Sequence, residues 1–180
     1  MSTDVKNYNL VARSIHWLSA IVIVGMFAVG VWMVDLSYYS TWYHEAPFLH
    51  KSVGILVALL TIFRVIWKAS TVSPKVTGSR FEKIASKAVH HTMYLDLFVI
   101  FVSGYLISTE DGRGIDVFNW FTIPGAGALF EGQADLAGVV HKIAAWTLII
   151  MVVLHVLAAL QHHFISKDDT LRKMIGASKS

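Results

Sequence analysis

The 180-residue sequence contains no cysteine, only 3 prolines and few charged residues. Without cysteine it can form no disulfide, no thiolate metal site and no cysteine nucleophile. Charged residues make up 15% of the chain, against about one quarter in a typical soluble domain. What is abundant instead is apolar, 55% of all residues. These residues gather in long blocks and not in the short alternation of a soluble core, which points to a lipid bilayer as the surrounding medium. The net charge of +3 is small and the basic residues sit at block ends, so nucleic acid is not expected as a partner. The length suits one domain covering 1–180.

A membrane-spanning helix needs about 20 mostly apolar residues. Four blocks qualify, and helices are expected over about 9–34, 48–68, 89–108 and 139–165. The segments between them hold most of the charges and all 3 prolines. The first block is too long for a signal peptide and lacks a small-residue cleavage site, so no cleavable leader is expected. The expected fold is an all-α bundle of four transmembrane helices. Its orientation follows from lysine and arginine, which accumulate on the cytoplasmic side. One side carries 12 of these residues and the other only Lys51, Arg113 and Lys142. Both termini are therefore expected in the cytoplasm. The outer loop 109–138 is long for a helix connection, and its aromatics around Pro124 predict a partly ordered cap with one short helix.

Nine histidines occur in this apolar chain. An ionisable side chain inside a span is costly and marks function by default. Neutral imidazole is a good metal ligand, and haem iron takes two when it only transfers electrons. His141 and His155 lie 14 residues apart on the fourth span. That spacing is about 21 Å of helix and leaves them about 40° apart around the axis. One helix face thus offers one histidine near the outer surface and one in the inner half, one for each of two stacked haems.

Topology names the partners. The first span runs outward, so His16 lies on the inner side. The second runs inward, so His50 begins on the outer side. The pairs expected are His16 with His155 and His50 with His141. To reach the depth of His155, His16 needs a helix that begins near Asn7 or Asn9, both suitable N-caps. Four residues beyond these histidines stand Ala20, Gly54, Ala145 and Ala159, small side chains that would leave room for a flat macrocycle. Of the remainder, His44 reads as a solvated loop residue, and His162 and His163 as interfacial residues at an inner helix end. His90 and His91 begin the third span, with a contact to a haem carboxylate as one reading.

Several motifs carry a wider likeness: Ser14-Ile15-His16-Trp17-Leu18, Leu49-His50-Lys51-Ser52-Val53-Gly54, Val140-His141-Lys142, Leu154-His155, His162-His163-Phe164 and Lys167-Asp168-Asp169-Thr170-Leu171. In this order, over nearly the whole chain, they resemble the bacterial cytochrome b561 family of small di-haem membrane proteins. The resemblance implies four helices in the bacterial inner membrane, two b-type haems on the same four histidines, and electron exchange with ubiquinone. Relatives similar to superoxide oxidase take electrons from superoxide at the outer face. Other similar proteins serve as membrane-anchor cytochrome b subunits for a periplasmic redox partner, so both roles stand as expectations.

Three outer cations, Lys51, Lys142 and Arg113, are candidates for drawing in an anionic donor, since a local positive field raises the on-rate of anions. They are equally candidates for pairing with haem carboxylates or for reaching to the interface. Asp96 is the only acid within an expected span, a candidate for a proton route or for a hydrogen bond between helices. His162, at the inner end, is a candidate quinone contact.

Overall fold

The computed structural model describes residues 5–177. Four long helices dominate it: α1 Leu10–Met33, α2 Glu45–Ser70, α3 Arg80–Thr109 and α4 Gln133–Phe164. Each is long and apolar enough to cross a membrane. Two short strands, β1 Ile115–Val117 and β2 Phe121–Ile123, lie between α3 and α4, and a terminal helix α5 covers Thr170–Ile175. The helices alternate in direction. The end that carries the start of α1, the end of α4 and the α2–α3 link is called inner below, the opposite end outer.

Burial is inverted relative to a soluble bundle. Ile21, Leu59, Ile62, Leu95, Phe98, Ile143, Ile150 and Leu157 are all exposed, whereas Ser19, Ser52, Ser103, Thr109 and Gln133 are buried. A chain in lipid places apolar side chains outward and satisfies its polar groups within. The hydroxyls of Thr61, Ser103 and Thr109 each donate to a carbonyl one turn back on the same helix, at 2.8, 2.6 and 2.9 Å. α1 packs chiefly against α2, and α3 against α4; the two pairs touch each other more sparsely. A slot therefore runs between two helical hairpins.

The helix starts follow from local chemistry. Asn9 caps α1, accepting the Ala12 N–H at 2.8 Å and the Trp67 indole N–H at 3.2 Å. α3 starts well before the expected residue 89, because Ser79 and Glu82 form a reciprocal capping box that begins it at Arg80. Its first turns are polar and stand clear of the apolar stretch.

The outer loop departs from the expected short helix. It forms a β-hairpin in which Ile115 pairs with Ile123 and Val117 with Phe121. Ile115 and Val117 are buried. Phe118 and Asn119 adopt φ of 47° and 59°, and Trp120 N–H donates to the Val117 carbonyl at 2.8 Å, a tight left-handed turn. Ser52, two turns into α2, holds the hairpin down: its hydroxyl donates to the Asp116 carbonyl at 3.1 Å and accepts the Phe118 N–H at 3.2 Å. Gln133 secures the other side. Its side chain accepts the Leu129 N–H and donates to the Leu106 carbonyl, both at 2.9 Å.

Candidate haem sites

The slot contains two histidine pairs. At the outer level the His50 ring on α2 faces the His141 ring on α4, with centroids 6.4 Å apart and planes at 69°. At the inner level His16 on α1 faces His155 on α4, with centroids 6.2 Å apart and planes at 64°. Both pairs span the slot from one hairpin to the other. An imidazole nitrogen sits about 2.0–2.1 Å from a bound transition-metal ion and roughly 1.1 Å from its own ring centre, so two rings on opposite sides of one ion have centroids about 6.3 Å apart. Both separations match that value. Among the described residues no group of three or more His, Cys, Asp and Glu could hold a metal ion. Each pair therefore suits a metal that brings its remaining ligands in a macrocycle, as haem does.

The outer pair is well supported by its surroundings. His141 Nδ1 lies 3.0 Å from the Ile100 carbonyl, which can only accept, so Nδ1 carries the ring proton and Nε2 keeps its lone pair for a metal. Ser103 Oγ, 3.2 Å from the same nitrogen, accepts alongside it. Gly104 on α3 admits this ring: a Cβ there would stand 3.1 Å from His141 Cε1. Gly30 on α1 does the same for His50, at 3.3 Å from Cε1. His50 Nδ1 itself is buried without a partner.

The inner pair has other neighbours. Arg64 Nη2 on α2 lies 3.0 Å from His16 Nδ1. The His90 ring on α3 stands 5.3 Å from that of His155. Ser19, one turn outward from His16, is buried with a hydroxyl that lacks a partner. Sequence reasoning missed Arg64, Ser103, Gly30 and Gly104. The glycines were visible as breaks in otherwise helical runs, a pattern that marks close approach of a neighbour.

The other candidates are scattered. Lys51 and Lys142 are exposed at the outer end beside the two outer histidines. Arg113 is bound by Asp111, with Nε 2.6 Å and Nη2 2.5 Å from the carboxylate, and its side chain is 86% exposed. The side-chain and backbone hydrogen bonds from Arg113 hold the Asp111 carboxyl below the usual carboxylate range. One of the three outer cations is thus locally neutralised. His44 precedes α2 as an exposed residue with its ring against Tyr43. Asp96 lies midway along α3, with one carboxylate oxygen buried and unpartnered. His162 pairs with Asp168 at 2.7 Å near the inner end, and His163 Nδ1 is buried without a partner. Burial alone would raise the Asp168 carboxyl, but hydrogen bonds from Thr170 and His162 outweigh it and hold it below the usual range.

Comparison with known proteins agrees with this architecture. The family model for prokaryotic cytochrome b561 matches residues 7–177. Cytochrome b561 homolog 2 of Escherichia coli (strain K12) is 48% identical over 177 residues, covering 97% of this chain and 94% of that protein. A probable superoxide oxidase, CybB of Yersinia pestis, is 26% identical over 173 residues, covering 94% and 96% of the two chains. The chain belongs to the prokaryotic cytochrome b561 family, and is a multi-pass membrane electron-transfer protein of a family that binds haem b.

Proposed function

We propose that the protein is a di-haem b cytochrome of the bacterial inner membrane that moves electrons from a donor on the outer, periplasmic side to the ubiquinone pool, with superoxide as the donor. The observation that carries this reading is the geometry of the two histidine pairs, at 6.2 and 6.4 Å between ring centres. His50 and His141 would hold one haem and His16 and His155 the other. A bound haem supplies a one-electron couple; the protein supplies binding, orientation and electrostatics.

Each part of the chain then has a task. Ile100 and Ser103 keep His141 in the tautomer that offers Nε2. The hairpin is held against α2 by Ser52, two residues from His50 at the outer end. Lys51 and Lys142 set a positive field there for an anionic donor. Two superoxide ions give up one electron each and leave as dioxygen, while ubiquinone takes two electrons and two protons to become ubiquinol. His162 and Asp168, hydrogen-bonded at the inner end, are suited to contact the quinone and to pass it protons. Asp96, with an unpartnered oxygen inside α3, is a second candidate on the proton route.

The test is a reduced-minus-oxidised spectrum of purified protein with haem quantified per chain, followed by superoxide-driven ubiquinone reduction. Two b-type haems and quinone reduction are expected. One haem per chain, or none, sinks the two-site reading. Two haems without superoxide-dependent turnover instead favours a relay that serves a periplasmic redox protein. Lys51→Gln combined with Lys142→Gln is expected to slow the superoxide reaction and flatten its salt dependence. An unchanged rate at every ionic strength rules out steering by these lysines.

A further inference from the structure

α2 repeats the spacing seen on α4. His50 and Arg64 are 14 residues apart, so they share a helix face to within about 40° and lie about 21 Å apart along the axis. Where α4 presents a second histidine at the inner level, α2 presents an arginine. Lys68 follows one turn inward on the same face. Both cations lie over the ring of Tyr94 on α3, Arg64 at 5.7 Å and Lys68 at 5.5 Å from its centre. Among the described residues no carboxylate pairs with either one. Two cations at the mouth of an apolar slot, with only a ring face between them, call for an anion.

The contact between Arg64 and His16 sharpens this. A guanidinium only donates, so His16 Nδ1 accepts and its ring proton stands on Nε2. That is the opposite tautomer to His141. Ligation through Nε2 requires the proton on Nδ1, where it would face the Arg64 N–H. Arg64 must then turn away, and its planar fork matches a carboxylate. Haem carries two carboxylates on one edge.

We propose that Arg64 and Lys68 form a carboxylate clamp for the haem of the inner site, with Arg64 exchanging His16 for a haem carboxylate; this rests on reading His16 and His155 as its ligands. A cation beside a haem favours its reduced, more negative state. Removing the clamp should therefore lower the potential of the inner haem and leave the outer one unmoved.

The experiment is a redox titration of full-length protein in zwitterionic detergent, comparing wild type with Arg64→Gln, Arg64→Lys and Lys68→Gln. Arg64→Gln is expected to reduce the equilibrium constant for reduction of one haem about tenfold, or about 59 mV for one electron. In a His50→Ala background the remaining haem should show this shift, and in a His155→Ala background it should not. Should Arg64→Gln shed the inner haem, Lys68→Gln carries the test with a downward shift at one step, and Arg64→Lys, which keeps the charge, should move that step less. Two haems with unmoved potentials, or with equal shifts at both, would overturn the clamp alone. A shift that appears only after anionic phospholipid is added would assign these cations to a lipid phosphate and overturn it as well. A wild type without haem would overturn the ligand reading and the clamp with it.

Discussion

Gly104 and Gly30 show how narrowly the outer site is built. A methyl group on Gly104 would stand 3.1 Å from His141 Cε1, and one on Gly30 3.3 Å from His50 Cε1. Glycine inside a helix costs about 1 kcal/mol relative to alanine, a cost offset here by letting a ring lie against the backbone. On α3 the Ile100 carbonyl, one turn before Gly104, receives the His141 proton. On α1 Met26 holds the equivalent sequence position before Gly30, but the Nδ1 of His50 is unpartnered. Gly104→Val should therefore displace His141 and reduce the haem content from two per chain to one, with a spectrum like that of His141→Ala. Ser103→Ala should keep both haems, because the Ile100 carbonyl still accepts. Full haem occupancy in the valine variant would contradict a ring-packing role for Gly104.

At the scale of elements, two small structures pack at the ends of the bundle. The outer hairpin is hydrogen-bonded to α2 through the Ser52 hydroxyl. Ser52→Ala leaves the part-buried Phe118 N–H without its acceptor, a loss on the order of 1 kcal/mol. Faster hydrogen exchange over residues 115–123, with α2 itself unchanged, is the expected sign; equal exchange would assign the hairpin's hold to packing of Ile115 and Val117. At the inner end α5 packs on α4. Tyr8 N–H donates to the Lys173 carbonyl at 3.3 Å, and Lys173 Nζ donates to the Lys75 carbonyl at 2.8 Å. Asp168 ties this segment to His162 and Thr170. Because its carboxyl is held below the usual range, its contribution is present at neutral pH and is lost as the pH falls through the folded value. At neutral pH Asp168→Asn should lower the hydrogen-exchange protection of residues 170–177, measured against the intrinsic rate at each pH, and wild type should lose the same protection only in acid.

These elements differ in how far they could be read beforehand. The start of α1 was legible, because His16 had to reach the depth of His155 and Asn9 offered a cap. The polar start of α3 was hidden from any search for apolar blocks, although Ser79 and Glu82 stood at capping-box spacing. The hairpin was not legible. Its turn places Phe118 at positive φ, a conformation that bulky side chains rarely adopt, and it is held by a contact to Ser52 some 66 residues away. The pairing of histidines followed from helical spacing and direction. Arg64 obeyed the same spacing from His50, yet its charge at a helix end read as a topological signal and concealed its place beside His16.

For the whole molecule, the sparse contact between the α1–α2 and α3–α4 hairpins has a thermodynamic consequence. Packing within each hairpin is dense, and the slot between them is bridged by residues of the two histidine pairs. In lipid, apolar surface gives helices no drive to associate, so packing and polar contacts must hold the hairpins together. On the proposed reading, a haem held by both histidines of a pair would add a bond across the slot at each level. Ligand binding to the folded state alone stabilises it by about 4.1 kcal/mol when present at a thousand times its dissociation constant. Haem loading should thus raise the thermal midpoint, in steps. His155→Ala should unfold at a lower temperature than wild type, and protein produced under haem limitation lower still. The same protein should be cut more readily by protease in the link at residues 71–79, which joins the two hairpins. Equal midpoints and equal cleavage across this series would mean that the hairpins are held by their own side chains, with the slot a preformed cavity and not a joint that haem completes.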